Sequence, residues 1–200
     1  MLTSKQRFKK RFFDIFLSFF GIFFLWWLIV LCWALATIDT RQNGLFIQAR
    51  VGRDGRVFEV FKIRTMRDSQ AIKTTVTRLS DPRITRLGAI FRKLKLDELP
   101  QIWNVLRGDM SFVGPRPDVP GFADRLSGED RYILTLRPGI TGPATLAYRN
   151  EEEILESQSD PDFYNREVIY PDKVRINLEY IRNWSLAGDI RYIWETVFGE

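Results

Sequence analysis

From Phe12 to Ile38 the chain carries one charged side chain, Asp14, in an otherwise almost wholly apolar run rich in Phe and Trp. As a helix these about 27 residues rise about 40 Å, more than the roughly 30 Å hydrocarbon core of a bilayer. A helix apolar around its whole circumference has no solvent face to offer. The segment is therefore read as membrane-inserted. A cleaved leader does not fit, because the run is long and bulky and no small-residue cleavage site follows it.

The charges on either side restrict the topology further. Lys5, Arg7, Lys9, Lys10 and Arg11 precede the run, and Arg41, Arg50, Arg53, Arg56, Lys62, Arg64 and Arg67 follow it. Basic flanks stay on the cytoplasmic side, and here both flanks ask for that side. A helix that enters, breaks and returns to the same face meets both demands. With no proline in the run, Gly21 or the Trp26-Trp27 pair would mark the break. Lys10, Arg11, Trp26 and Trp27 are the residues expected at or in the membrane. Residues 1–40 then form the inserted segment and 41–200 one compact domain, an α+β, mainly helical unit with a β-hairpin.

Chemistry is limited by what is missing. The sequence has no histidine, which excludes Ser-His-Asp and Cys-His catalysis and most zinc sites. Cys32, the single cysteine, lies in the apolar run and reads as a small buried hydrophobe. Acid–base or nucleophilic work falls to carboxylates, Lys, Tyr, Ser or Thr, and a metal would be a hard one held by oxygen, Mg²⁺ first. The net charge of +5 favours anionic partners such as phosphates or lipid headgroups.

In the soluble part, LFIQARVGRDGRVFEVFKIRTM (45–66) alternates about Asp54-Gly55 and predicts a hairpin. Lys62 and Arg64, at i and i+2 on the outgoing strand, are candidates to meet an anion. The basic stretch 67–93 is expected to turn at Asp81-Pro82 before a short helix. In LKLDELPQIWN (94–104), Leu99, Ile102, Trp103 and Leu106 fall at helical spacing, so a helix is expected from Leu99 to just before Gly108, with Pro100 tolerated in its first turn. Asp97, Gln101 and Asn104 line the opposite, polar side. At a helix N-terminus beside Arg92, Lys93 and Lys95, Asp97 is expected to stay an anion, able to attack or to bind metal.

Arg116, fixed between Pro115 and Pro117, is a candidate phosphate clamp, as are Arg137 and Arg149 in the Gly/Pro-rich loop 136–150. Glu151-Glu152-Glu153 and the stretch to Pro171 read as a solvated acidic segment. Ile190, Ile193, Trp194 and Val197 predict an amphipathic C-terminal helix packed on the core, with a membrane-surface role as the alternative.

KKRFFD (9–14), FIQARVGRDGRVFEVFKIRTM (46–66), DPRITRLG (81–88), LDELPQIWNVLRGDMSFVGPRP (96–117) and RPGITGP (137–143) together resemble the bacterial sugar transferase family, the monotopic phosphoglycosyl transferases, in its minimal catalytic form. That resemblance implies an enzyme on the cytoplasmic face of a bacterial inner membrane. It would move a sugar-1-phosphate from a nucleotide diphosphate sugar to polyprenyl phosphate and release a nucleoside monophosphate. Asp97 would be the nucleophile, Glu98 its partner, and Mg²⁺ would sit at the pair. Lys62, Arg64, Arg92, Arg116 and Arg137 would handle phosphate. The resemblance also implies a re-entrant helix, although Trp26-Trp27 stands where the family commonly has Ser-Pro. Lys95-Leu96 and ITGPATLAYRNEEE are further departures from the family pattern.

The partners implied are the nucleotide sugar, polyprenyl phosphate and the bilayer, with no nucleic acid; a homodimer is compatible but no residue demands it. Two alternatives remain open on the residues alone. One is a glycosyl transferase that moves only the sugar and releases a nucleoside diphosphate. The other is a non-catalytic membrane-anchored module that binds anions.

Overall fold

The computed structural model describes residues 2–68 and 81–199. Helix α1 spans Ser4–Thr40 and opens with a capping box, in which Thr3 and Gln6 each satisfy the other's backbone N–H. Arg41, at φ 57°, turns the chain out of it. No residue within α1 leaves helical geometry, so the break expected at Gly21 or Trp26-Trp27 is not there. The physical reason is local: without proline no ladder donor is lost, and one glycine lowers helix propensity by only about 1 kcal/mol.

One stripe of α1, through Asp14, Ser18, Cys32, Ala36 and Thr40, is buried against the rest of the chain, while Phe12, Phe16, Phe19, Phe23, Phe24, Trp26 and Trp27 on the remaining circumference are exposed. Gly21 lies in the contact region, where an added Cβ would touch the Ile102 side chain. Cys32 and Ala36 pack with Ile63 and Phe91 at the C-terminal end. Two of the flanking cations are engaged within the protein. Lys10 is buried in an ion pair with Asp189 (2.7 Å), and Arg11 donates to the Val105 and Leu106 carbonyls. Each of these two finds a fixed acceptor within the protein.

The expected hairpin forms: β1 (Leu45–Val51) pairs antiparallel with β2 (Val57–Ile63). Asp54 and Gly55 both take positive φ in the connecting turn, the conformation for which Gly and Asp are the favoured residues. The turn at Asp81-Pro82 leads into α2 (Arg86–Lys93), capped by Thr85. Residues 69–80 of the basic stretch lie outside the described residues.

The next helix starts later than the sequence suggests. Leu96–Glu98 forms a 3-10 turn, and α3 spans Gln101–Arg107 before Gly108. It is also buried on more than its apolar side: Ile102 is buried as expected. Gln101 and Asn104 are buried too while Trp103 is 51% exposed, so polar residues face inward as well. The cause is the pair of neighbours of α3: α1, itself apolar, takes Ile102, and the hairpin takes Asn104. Phe61 N–H donates to Asn104 Oδ1 (3.1 Å), and Asn104 Nδ2 donates to the Glu59 carbonyl (2.7 Å).

A second, unforeseen sheet pairs β3 (Ser111–Val113) in parallel with β4 (Gly139–Thr141). A Cβ at Gly139 or Gly142 would collide with the Gly114 backbone, so glycine is required for this approach. The acidic stretch is helical rather than merely solvated: α4 (Pro143–Ala147), α5 (Glu151–Glu156) and α6 (Pro161–Tyr164) lead through a π-turn (Asn165–Ile169) into α7 (Tyr170–Arg182). Pro171 follows that turn; lacking an N–H, it cannot sustain the regular ladder. Helix α8 (Leu186–Phe198) leaves Ile190, Trp194, Val197 and Phe198 exposed, contrary to the core packing expected of that stripe; Ile193 alone of the four expected positions reaches the core cluster. Buried Asp189 decides the orientation, since α8 turns toward Lys10, Tyr180 and Trp184, which all donate to its carboxylate.

Candidate active site

Asp97 and Glu98 sit in the 3-10 turn between α2 and α3, both 9% exposed. Lys95, at φ 56°, bends the chain into that turn. Three segments converge on Glu98. Arg116 Nη2 donates to Glu98 Oε1 at 2.9 Å, from the loop after β3. Lys62 Nζ approaches the same oxygen at 3.8 Å, from β2. Lys95 adds its charge from the N-terminal end of the same turn.

The two carboxyls are pushed in opposite directions. Burial would raise Glu98, but Arg116, Lys62 and Lys95 outweigh it and hold the group at about 2. Asp97 is raised above its ordinary value, first by burial and then by the charge of Glu98, against the pull of Lys62, Arg92 and Arg116. The helix end expected to favour the Asp97 anion is not beside it: α3 begins only at Gln101, and Asp97 lies in the 3-10 turn before it, whose N-terminal residue makes no side-chain cap. Asp97 Oδ1 is buried with no hydrogen-bond partner. A carboxylate so poorly solvated is a better nucleophile than one whose oxygens are all bonded.

The cations are strained in the complementary sense. Burial and then Arg116 bring Lys62 down to about 8, and the same two causes, in the same order, bring Arg50 to about 10. Arg116 itself is raised, chiefly by Glu98. Like charges gathered in a partly dry site favour an incoming anion.

Among the other candidates, Arg92 borders the pair and is held by Glu152 (3.0 Å) and Thr65 (3.2 Å). The acidic run thus reaches into the site. Arg64 is not brought to the pair: β2 ends at Ile63, and Arg64 donates to the Asn43 carbonyl and Asp68 and lies over the Phe46 ring. Arg137 donates to the Gly108 carbonyl (2.7 Å) and is lowered by burial and by Arg11, which places it in the cluster around the base of α1. Arg149 donates to the Glu195 and Gly199 carbonyls at the end of α8.

The sequence reading missed Gln48, Arg50 and Asp118. Arg50 donates to Gln48 Oε1 and to the Pro117 carbonyl, beside Arg116. Asp118, raised to about 6 by burial, faces Arg50, Lys173, Tyr170 and Arg116. Strand alternation could have found two of them, because Gln48 and Arg50 share a face with Phe46, whose cross-strand partner is Lys62.

Whether a metal fits is decided by the donor set. Among the described residues no group of three or more His, Cys, Asp or Glu side chains could hold one. The buried, unpartnered Asp97 Oδ1 and the adjacent Glu98 carboxylate would still suit a cation that takes one or two carboxylates and completes its shell with substrate phosphate and water, the habit of Mg²⁺.

A family model described as bacterial sugar transferase matches residues 5–199. The UDP-galactose-lipid carrier transferase of Erwinia amylovora is 35% identical over 98% of this chain and 41% of its own length. The UDP-glucose:undecaprenyl-phosphate glucose-1-phosphate transferase of Escherichia coli is 36% identical over 98% and 41%. The exopolysaccharide production protein ExoY of Sinorhizobium fredii is 30% identical over 94% of this chain and 84% of its own length. The chain thus spans about two fifths of the first of these relatives and most of the last.

Proposed function

Since the chain belongs to the bacterial sugar transferase family, we propose that it is a phosphoglycosyl transferase. In this reading it moves a sugar-1-phosphate from a UDP-sugar to undecaprenyl phosphate at the cytoplasmic face of the bacterial inner membrane. The observation that carries it is the pairing of a desolvated Asp97, one oxygen unpartnered, with a Glu98 locked by Arg116 and Lys62.

Asp97 attacks the phosphorus that bears the sugar. The new bond is from carboxylate oxygen to phosphorus; the bond to the bridging oxygen breaks, and its electron pair leaves on UMP. An oxygen of the lipid phosphate then attacks the same phosphorus and returns the carboxylate. Neither step requires a histidine, since the nucleophiles are carboxylate and phosphate and the leaving groups are themselves stable anions. Glu98 keeps Arg116 and Lys62 oriented, and these cations neutralise charge on the transferring group. Bound Mg²⁺, held by Asp97 and Glu98, would supply further charge neutralisation on the diphosphate.

Intact-mass measurement after incubation with a panel of nucleotide sugars, without acceptor, tests the reading. The wild type should gain one phosphosugar mass and Asp97→Asn none. Release of a nucleoside diphosphate on adding acceptor would instead mean transfer of the sugar alone.

A further inference from the structure

The hairpin presents Phe46, Gln48 and Arg50 on the same face as Phe58, Val60 and Lys62, because cross-strand partners point the same way. Val60 on that face is buried with Val105 and Met110, so the face is turned into the molecule. Lys62 lies at one end, opposite Phe46, and Arg50 four residues along β1, about 13 Å away. Arg116 stands between them: its guanidinium meets Glu98, as does Lys62, while the carbonyl of its neighbour Pro117 accepts from Arg50 Nη1 at 3.1 Å.

Arg50 is held at the edge of the site without being used up. Of its five N–H donors, Nε and one on Nη2 go to Gln48 Oε1 (3.2 and 2.6 Å), and one on Nη1 goes to Pro117. That leaves two N–H groups, one on each terminal nitrogen, to meet oxygens of a phosphate. Among the described residues Arg50 makes no ion pair with a carboxylate, although Asp118 faces it, whereas Arg116, Arg92 and Lys62 are each paired with one.

We propose that Arg50, oriented by Gln48 and the Pro117 carbonyl, is a binding residue for the second phosphate of the donor diphosphate, the one that departs with the nucleotide. Lys62 and Arg116 then serve the phosphate next to Asp97, and Arg116 links the two halves. This deepens the proposed function, on which it rests for the identity of the donor, but its test needs no turnover.

The probes are inorganic pyrophosphate and inorganic phosphate, titrated by phosphorus NMR against the full chain in detergent and metal-free buffer. Cations approaching from both sides of Arg116 should make pyrophosphate the tighter ligand in the wild type. Arg50→Gln should weaken pyrophosphate roughly ten- to hundred-fold, the loss expected for a charge-assisted bond, and phosphate by less than about twofold. Arg50→Lys should recover only part, since an ammonium lacks the planar guanidinium donors. Arg182→Gln, at an exposed ion pair with Glu129, should change neither affinity and so controls for net charge. Wild-type preference for pyrophosphate retained in Arg50→Gln, no preference in the wild type, or equal weakening of both ligands would each overturn the assignment. A missing phosphosugar adduct beside a normal Arg50-dependent pyrophosphate preference would sink the catalytic reading alone.

Discussion

Asp97 and Glu98 adjoin in sequence and share their burial, yet one is raised and the other is held at about 2. What separates them is one short contact: Arg116 bonds Glu98 and leaves Asp97 Oδ1 alone. The difference has a pH signature. A carboxyl whose folded value lies below its ordinary 4.5 contributes stability above that value and loses it as pH falls toward 2. Wild type should therefore lose stability between about pH 4.5 and 2 relative to Glu98→Gln, as followed by urea midpoints across that range. Parallel midpoints for the two proteins would mean that the Glu98 ion pairs do not contribute to folding. The importance of this pair was legible in the sequence, because an adjacent Asp and Glu beside three nearby cations, Arg92, Lys93 and Lys95, is unusual for a loop. The division of roles was not, since it depends on Arg116 arriving from 18 residues away.

At the scale of elements, periodicity and turn chemistry located α1, the hairpin, α2, α3 and α8, missed β3, β4 and α4 to α7, and misjudged which side of α8 faces inward. The hairpin was legible because Asp54-Gly55 fixes its turn and thereby its register. The full packing of α3 was not, since a stripe of apolar residues points to whatever apolar surface is nearest, and here that surface is α1. Its polar residues Gln101 and Asn104 are buried along with Ile102 and Val105. Asn104 is fully buried and joins α3 to β2 through both ends of its amide. Asn104→Ala would leave the Phe61 N–H and the Glu59 carbonyl without that partner, at about 1–3 kcal/mol for each group. The urea midpoint should fall accordingly. Because β2 carries Lys62 and α3 follows Asp97, pyrophosphate affinity should fall with it. A stability loss under about 0.5 kcal/mol would mean that water replaces the amide without penalty.

The whole molecule keeps both flanks of α1 on one side, as the charges predict, but without the expected break: α1 is continuous and is seated on one body at both ends. Lys10 and Asp14 meet α8 and β3 near its start, while Arg67 donates to the Asp39 carbonyl near its end. A single folded body cannot lie on both sides of a bilayer while keeping both sets of contacts. Its buried stripe holds the domain, and its exposed Phe and Trp side chains are left for lipid. The helix should therefore enter the membrane with both flanks on the cytoplasmic side. Cysteines introduced singly at Lys5, exposed near the start of α1, and at Ile47, 49% exposed on β1, in a Cys32→Ser background, should both react with a membrane-impermeant maleimide in inverted vesicles and neither in intact spheroplasts. A cysteine at Phe23, in the middle of the exposed aromatic face, should react in neither until detergent is added. Labelling of Lys5→Cys and Ile47→Cys from opposite sides would establish a spanning helix and require one end of α1 to leave the body on which it rests here.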